Sequence, residues 1–214
     1  MKVGILGTGD VGKALGNGFI KYGHDVTMGS REAGNAKAVA WAAAAGVTAK
    51  AATFAGAVQG ADVVVLATLW TGTRSALDMA GGPAAFAGKV VIDATNPLDF
   101  SQGVPRLSIG HTDSAGEQVQ RWLPGAKVVK AFNMIGNAHM VNPQFPGGPP
   151  DLFICGNDDG AKQVVADIGQ AFGLSATDFG GIEMSRVLEP LCILWVAYGI
   201  KTGGWNHAFK MLRI

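Results

Sequence analysis

A glycine-rich segment near the start of the chain has the spacing of a phosphate-binding turn. Gly7, Gly9 and Gly12 form a GxGxxG pattern directly after an apolar run at residues 3–6. In such a turn the first glycine permits a tight bend, the second lets the backbone approach a diphosphate, and the third lets the next helix pack closely. The N-terminus of that helix attracts the anion. Glycine turns also occur for structural reasons, but this placement favours dinucleotide binding.

The residues beyond the second predicted strand bear on which dinucleotide binds. Sites for NAD usually carry an acidic residue there, which binds the ribose 2′-hydroxyl group. Here Ser30 and Arg31 follow Gly29, and the first carboxylate is Glu32. A hydroxyl and a permanently charged guanidinium suit a 2′-phosphate, and Thr8 is placed to assist. The pattern predicts NADP(H) in preference to NAD(H). The alternative for Ser30 is a cap on the next helix.

Two further strand ends carry residues that could face a ligand. Thr68 and Leu69 follow the predicted central strand, and Asn96, before Pro97, follows the next one. Because ligands bind at the carboxyl edge of open α/β sheets, we expect Thr68 and Leu69 to contact the cofactor and Asn96 to lie near the nicotinamide. A plain turn is the alternative for Asn96. Trp70 is either a lid over the cofactor or a packed aromatic residue.

The elements that would position these residues alternate between strand and helix. Apolar runs predict strands at residues 3–6, 25–28, 61–67, 89–93, 127–132, 151–155 and 175–179. Helical spacing predicts helices at residues 11–22, 31–45, 73–79, 161–172 and 183–201. This order indicates an α/β fold, a Rossmann-type doubly wound and mainly parallel sheet with a small C-terminal helical lobe. We expect a dinucleotide-binding domain at residues 1–150 and, at residues 151–214, an extension that packs on it and ends in a long apolar helix.

The composition argues against several classes of partner. A net charge of +1 with 15% charged residues gives no electrostatic footprint for nucleic acid or an acidic membrane. The longest apolar stretch, residues 187–200, contains Glu189 and Pro190 and is shorter than the ~20 residues of a membrane span. Cys155 and Cys192 predict two buried thiols in a reducing compartment, and no spacing suits a metal site. With no secretory signal before the first strand, we expect a cytoplasmic protein.

With these motifs in place, the chain resembles the NADPH-dependent coenzyme F420 reductases, and equally the cytosolic reductase domain of the STEAP metalloreductases. The resemblance covers essentially the whole length. It is carried by Gly7-Thr8-Gly9-Asp10-Val11-Gly12, Gly29-Ser30-Arg31, Val91-Ile92-Asp93-Ala94-Thr95-Asn96-Pro97, Lys130-Ala131-Phe132-Asn133, Ile154-Cys155-Gly156-Asn157-Asp158 and Leu188-Glu189-Pro190-Leu191.

The resemblance implies a Rossmann domain with a small C-terminal lobe, usually dimeric. It implies that Thr8, Ser30 and Arg31 hold the 2′-phosphate and that the hydride passes near residues 133–137. In the F420 enzymes that stretch faces the deazaflavin ring, with a histidine at the position of Asn133; the STEAP-like branch has asparagine there, as this chain does. Motifs and resemblance together predict cofactor contacts at Gly7, Thr8, Gly9, Asp10, Val11, Gly12, Ser30, Arg31, Thr68, Leu69, Asn96, Ala131 and Asn133, and second-substrate contacts at Asn133, Ile135 and Asn137.

Side chains suited to acid–base or nucleophilic catalysis form no recognisable set in the sequence. A hydride passing between a nicotinamide and a flavin-like ring needs none, because the cofactors carry the reaction, whereas carbonyl reduction needs an acid near the forming alkoxide. We therefore predict an oxidoreductase that transfers a hydride between NADPH and a planar redox acceptor, coenzyme F420 or a flavin such as FMN or FAD. The alternatives are an imine or carbonyl reductase of the pyrroline-carboxylate type and a non-catalytic NADP(H) sensor.

Four further features bear on the second substrate, on the core and on the assembly. Lys130, on a predicted strand, is interpreted as structural in preference to catalytic. His139 and Trp205 are candidate contacts of the second substrate. The last predicted helix is apolar nearly all round and must be covered on more than one side, which favours a homodimer.

Overall fold

The computed structural model describes residues 1–212 and 214 of the chain. The strands are β1 (Lys2–Leu6), β2 (Asp25–Ser30), β3 (Ala49–Thr53), β4 (Val63–Leu66), β5 (Val90–Asp93), β6 (Leu98–Asp99), β7 (Arg106–Leu107), β8 (Lys127–Lys130), β9 (Asp151–Gly156) and β10 (Ser175–Asp178). The helices are α1 (Asp10–Lys21), α2 (Ala36–Ala45), α3 (Phe54–Val58), α4 (Trp70–Met79), α5 (Gly82–Phe86), α6 (Ala115–Trp122), α7 (Asp159–Ala171) and α8 (Ser185–Thr202). Two 3-10 helices lie at Asn137–His139 and Ile182–Met184.

The main sheet has eight strands in the order β10-β9-β8-β5-β4-β1-β2-β3. The run from β3 to β8 is parallel throughout, whereas β9 pairs antiparallel with β8, and β10 runs parallel to β9. β6 and β7 form a separate antiparallel pair. The predicted Rossmann-type, mainly parallel sheet is therefore confirmed. Its strand order reverses between β1 and β4, and this switch point is where such sheets bind ligands at the carboxyl edge.

The central strands are buried on both faces, as parallel strands flanked by helices must be. Every residue of β4 is buried, and only the first residue of β1 is exposed. Helix α1 packs against the sheet through Leu15 and Phe19, which are fully buried. Full burial of such a side chain contributes about 1.5–3 kcal/mol to the free energy of unfolding. This packing fixes the positions of the ends of β1 and β4.

Helix α2 begins five residues later than predicted, at Ala36. The Asn35 side chain accepts hydrogen bonds from the backbone amides of Lys37 and Ala38, at 3.1 and 3.2 Å, and is the N-cap. The alternative in which Ser30 caps this helix is therefore wrong. Ser30 is instead the last residue of β2, which extends two residues beyond the predicted end at residue 28.

The predicted elements omit β3, β6, β7, α3, α5 and α6. β3 is a half-buried edge strand of mainly small residues, which carry a weak strand signal. Helix α6 does have a start signal. The Ser114 hydroxyl accepts a hydrogen bond from the Glu117 amide at 3.2 Å and donates one to the Glu117 carboxylate at 2.7 Å. This S-x-x-E pattern is a recognised helix N-terminus.

The C-terminal part of the chain is tied to the sheet. β9 and β10 extend it, α8 contacts α6, and the tail after α8 returns to the start of β9. There the Asp151 amide donates to the Phe209 carbonyl oxygen at 3.2 Å, and the Asp151 carboxylate accepts from the Met211 amide at 2.7 Å. The domain boundary at residue 150 stays a prediction. Among residues 1–212 and 214, no helix has the length and apolar character to cross a membrane.

Candidate active site

The glycine turn lies where β1 ends and α1 begins. Gly7 has a φ of 128°, and a Cβ atom there would lie 2.3 Å from the carbonyl oxygen of Ala67. A Cβ atom at Gly12 would lie 2.4 Å from the carbonyl oxygen of Gly7. A Cβ atom at Gly9, in contrast, would have no atom of the described chain within 4 Å. Packing therefore requires glycine at positions 7 and 12, whereas Gly9 borders open space.

That open space adjoins the N-terminal end of α1. Gly9 is the N-cap residue, and no side chain of the described residues caps the helix. The Lys13 amide donates to the Gly9 carbonyl oxygen at 3.0 Å, so the amides between them have no partner within the helix. These amides and the positive end of the helix dipole attract an anion. A Cβ atom at position 9 would enter this cradle, so the geometry fits a diphosphate that approaches the backbone closely.

Beyond β2, Arg31 presents the positive charge that the sequence predicts. Its side chain is exposed, and a guanidinium nitrogen lies 3.9 Å from the position that a Cβ atom would take at Gly72, in the first turn of α4. Ser30 is buried, and its hydroxyl donates to the carbonyl oxygen of Glu32 at 2.5 Å. Arg31 is thus placed to meet a phosphate, while the Ser30 hydroxyl shapes the turn that carries it. Thr8 is half-buried.

The end of β4 combines an exposed apolar side chain with a fixed hydroxyl. Leu69 is 84% exposed. The hydroxyls of Thr68 and Thr73 lie 2.8 Å apart, and that of Thr73 also donates to the Leu69 carbonyl oxygen at 3.1 Å. Trp70 stacks on Trp122, with ring centroids 5.4 Å apart and an interplanar angle of 14°. The structure therefore supports Trp70 as a packed aromatic residue, and Leu69 is the apolar side chain presented at this edge.

Two asparagines join the ends of β5 and β8. The Asn96 side-chain amide donates to the Asn133 backbone carbonyl oxygen at 2.6 Å. The Asn133 side-chain amide donates to Asn96 Oδ1 at 3.0 Å and to the Leu188 carbonyl oxygen at 3.1 Å. Asn133 is 5% exposed, and its Oδ1 atom is buried without a hydrogen-bond partner among the described residues. The pair links the ends of β5 and β8 to α8 at the carboxyl edge. The Asn133 side chain is bonded within the protein and has little surface exposed to a ligand.

The backbone turns sharply just before Asn133. Phe132 has a φ of 62° and is 1% exposed. The left-handed conformation costs a residue with a side chain roughly 1–2 kcal/mol, so the surrounding packing must enforce it. Backbone strain of this kind clusters at functional sites. Phe132 lies two residues after the end of β8, and its conformation sets the direction of the loop that contains residues 133–137.

The other residues predicted in this loop differ in what they can offer a ligand. Ala131 is fully buried, and its amide donates to the Asp93 carbonyl oxygen at 3.1 Å. Ile135 is 6% exposed. Asn137 is exposed and begins a 3-10 helix. Of these residues, Asn137 presents its side chain at the surface, whereas Ala131 and Ile135 are largely enclosed.

An aromatic cluster from the C-terminal part of the chain backs this loop. A Cβ atom at Gly136 would lie 2.7 Å from the Trp195 ring, so glycine is required for this contact. Trp205, which is 47% exposed, packs against Trp195 with ring centroids 5.2 Å apart. His139 Nε2 lies 3.2 Å from Asn206 Oδ1. The loop and the tail therefore form one continuous surface beside Asn137.

Beneath the asparagine pair lies a buried charged triad that the sequence analysis misses. Lys130 Nζ lies 2.8 Å from Asp93 Oδ2 and 2.9 Å from Glu189 Oε1, and all three side chains are at most 1% exposed. Glu189 also accepts hydrogen bonds from the amides of Ala115 and Gly116, each at 3.0 Å. Burial alone would lower the pKa of Lys130, but the two carboxylates outweigh it and raise that pKa above its ordinary value. Lys130 stays charged and enclosed, which supports the structural interpretation.

The two cysteines are buried, as predicted. Burial raises the pKa of Cys155 to about 11 and that of Cys192 to about 12. Both thiols are protonated at neutral pH and are therefore poor nucleophiles. Within residues 1–212 and 214, no group of three or more histidine, cysteine or acidic side chains is placed to hold a metal ion.

Comparisons with known proteins agree with this geometry. A family profile described as "NADP oxidoreductase coenzyme F420-dependent" matches residues 2–97. The F420-dependent NADP reductase of Methanocaldococcus jannaschii is 32% identical over 212 residues, which cover 94% of this chain and 93% of that protein. The chain belongs to the family of F420-dependent NADP reductases. It is therefore an NADP-dependent oxidoreductase, and the family resemblance predicted from the motifs is confirmed.

Two further proteins are similar to this chain, one over its full length and one over a part. A crystal structure from Arthrobacter sp. FB24, provisionally assigned as an F420-dependent NADP reductase, superposes with a TM-score of 0.93 at 38% identity over the full length of both chains. Metalloreductase STEAP3 of Rattus norvegicus is 30% identical over 193 residues, or 89% of this chain. The chain spans 36% of the length of that metalloreductase, so the likeness to it covers a part of a longer protein.

Proposed function

We propose that the chain binds NADP(H) across the carboxyl edge of β1, β2 and β4 and transfers a hydride between it and a planar redox acceptor, either coenzyme F420 or a flavin. The observation that carries this proposal is the pairing of two features. One is the open cradle at Gly9 on the uncapped end of α1. The other is the exposed Arg31 beyond β2, at the position where sites for NAD have a carboxylate.

The residues at this edge would divide the work of binding. The cradle at Gly9 would receive the diphosphate, and Arg31 would pair with the 2′-phosphate, which a guanidinium can do through two parallel hydrogen bonds. The Ser30 hydroxyl already donates its hydrogen to the Glu32 carbonyl oxygen. Arg31 would therefore be the main donor to the 2′-phosphate. Leu69 would give an apolar contact and exclude water.

The site offers orientation in place of acid–base chemistry. When bound, NADPH would supply a hydride and be oxidised by two electrons, while the acceptor ring is reduced by taking up that hydride and one proton from water. Asn96 and residues 133–137 would hold the two rings in approach geometry, which is the main protein contribution to such reactions. Lys130 has no exposed surface, so it is not available as the acid that an imine or carbonyl reductase needs, and this weighs against that alternative.

The exposed face of α8 supports a homodimer. Val187, Leu194 and Tyr198 are each more than half exposed and recur at spacings of seven and four residues, with Leu191 between them half-buried. This spacing gives one apolar stripe along the helix. A second copy of the chain would cover the stripe, and we include the homodimer in the proposed function.

Steady-state oxidation of NADPH in the presence of coenzyme F420, FMN or FAD tests this function. The nicotinamide absorbance is followed with each acceptor in turn, without oxygen. We expect turnover with at least one of these planar rings and none with simple ketones or imines. Turnover with an imine but with no ring acceptor would establish the second enzyme class. NADPH binding without turnover on any acceptor would establish the non-catalytic sensor.

A further inference from the structure

The buried triad has one member on each element that the asparagine pair joins. Asp93 ends β5, three residues before Asn96, and Lys130 ends β8, three residues before Asn133. Glu189 follows Leu188 in α8, whose carbonyl oxygen accepts the Asn133 side-chain amide. The charged groups thus lie directly under the loops that would orient the nicotinamide and the acceptor.

Hydrogen bonds connect the triad to Thr95, in the loop after β5. The Asp93 carboxylate accepts from the Thr95 amide at 2.9 Å and from the Thr95 hydroxyl at 2.7 Å. On the other side, Lys130 Nζ donates to the Thr95 carbonyl oxygen at 2.9 Å. Thr95 is therefore fixed through three atoms, and the backbone leads from it directly into Asn96.

Lys130 also pairs with Glu189 of α8, the helix whose Leu188 carbonyl oxygen accepts the Asn133 side-chain amide. The ion pair with Glu189 sets the position of α8 relative to β8, and the amides of Ala115 and Gly116 hold the other side of that carboxylate. Moving Glu189 would move the adjacent Leu188 carbonyl oxygen and, through it, the Asn133 side chain. The strained Phe132 makes this part of the chain intolerant of small shifts.

Stability alone does not account for such a cluster. Replacing buried ion pairs by apolar side chains of similar volume is often neutral or stabilising, because the charges must give up their hydration. Buried and directional polar contacts do specify a single arrangement of the elements that they join. The triad has no exposed surface with which to touch a ligand, so its contribution must act through the residues that it holds.

We propose that Asp93, Lys130 and Glu189 are positioning residues for hydride transfer, which hold Asn96 and residues 133–137 in the arrangement that aligns the nicotinamide with the acceptor ring. This inference rests on the proposed function. It adds that alignment of the rings, separately from binding of the adenylate half, depends on a buried charged triad at the carboxyl ends of β5 and β8 and on α8.

The test uses the double variant Lys130→Met with Asp93→Asn, which removes one positive and one negative charge. The net charge of the buried cluster stays at −1, and Glu189 remains hydrogen-bonded to the amides of Ala115 and Gly116. The matched control is Lys162→Met with Asp178→Asn. Lys162 also pairs with two carboxylates, Asp159 at 3.0 Å and Asp178 at 2.7 Å, but it lies on α7, away from the asparagine pair.

Two measurements separate alignment from binding. The first is the affinity for 2′-phospho-ADP-ribose, which has the adenylate half but no nicotinamide. The second is kcat, with whichever of coenzyme F420 and FMN the wild type reduces, together with the stereospecificity of transfer from NADPH deuterated on either face of C4. For the triad variant we expect fragment affinity within about twofold of wild type, kcat lower by about 100-fold, and mixed stereospecificity. The control variant should match the wild type in all three.

Native kcat and native stereospecificity in a folded triad variant would overturn the inference, as would equal losses in the triad variant and the control. If the double variant does not fold, Glu189→Gln decides. It should retain fragment affinity with reduced kcat and relaxed stereospecificity, and native values of both would overturn the inference. Failure of the proposed function shows itself elsewhere, in a wild type that does not bind the fragment or does not oxidise NADPH.

Discussion

At the scale of single residues, the glycines of the turn have separable roles. Gly9 has φ −78° and ψ −178°, which any residue adopts, and its Cβ position meets open space. Gly9→Ala should therefore leave the free energy of unfolding within about 0.5 kcal/mol of wild type. The added methyl group enters the diphosphate cradle, so NADPH affinity should fall by about tenfold, equivalent to ~1.4 kcal/mol. Urea unfolding and calorimetric titration measure the two effects.

The control for Gly9→Ala is Gly12→Ala. Its Cβ atom would lie 2.4 Å from the Gly7 carbonyl oxygen, so this variant should lose about 1–3 kcal/mol of stability. An unchanged NADPH affinity in Gly9→Ala would contradict the placement of the diphosphate. A loss of stability like that of Gly12→Ala would contradict the open cradle.

The sequence proposes candidate site residues but does not predict which of them are enclosed. Arg31 and Gly9 could be proposed because their chemistry follows from motif position alone, and both are exposed in the structure. The enclosure of Ser30 and Asn133 could not, because it depends on which backbone carbonyl each side chain meets. Lys130 carried one usable signal, since a lysine within an apolar strand needs a buried partner. Its partners Asp93 and Glu189 come from other elements, and the fold alone brings them together.

At the scale of elements, the start of α2 is set by one side chain. Asn35→Ala removes the acceptor for the amides of Lys37 and Ala38 and should cost about 1 kcal/mol of stability. Asn35→Asp retains an acceptor oxygen and should lie within a few tenths of a kcal/mol of wild type. Chemical denaturation of both variants measures this difference. Equal stability of Asn35→Ala and wild type would show that α2 is capped in another way.

The elements that the sequence predicts are those with a strong periodic pattern. β1, β4 and β5 are continuous apolar runs, and α1 and α7 carry regular apolar spacing, so burial fixes their type. β3 is recognised only in the fold, because its alanines pair with β2 without a hydrophobic pattern. The sequence does not predict the antiparallel direction of β9 either, because the apolar pattern of a buried strand is the same for parallel and antiparallel pairing.

At the scale of the whole molecule, the apolar stripe on α8 predicts self-association. Sedimentation should show the wild type as a dimer. Leu194→Lys places a charge at a residue that is 56% exposed in the single chain, so it should shift the protein to monomer without loss of folding. Val39→Lys, on the 47% exposed Val39 of α2, is the control and should stay dimeric. A monomeric wild type, or a dimeric Leu194→Lys variant, would contradict the proposed interface.

In the proposed function, Arg31 and the cradle at Gly9 select the phosphorylated coenzyme. Calorimetric titration of the wild type and of Arg31→Ala with NADPH and NADH tests it most directly, with Arg121→Ala as the control for loss of an exposed arginine. We expect the wild type to bind NADPH more tightly than NADH, and Arg31→Ala to lose about 1.5–3 kcal/mol for NADPH with little change for NADH. Tighter binding of NADH by the wild type, or equal losses for both coenzymes in Arg31→Ala, would show that Arg31 does not bind a 2′-phosphate.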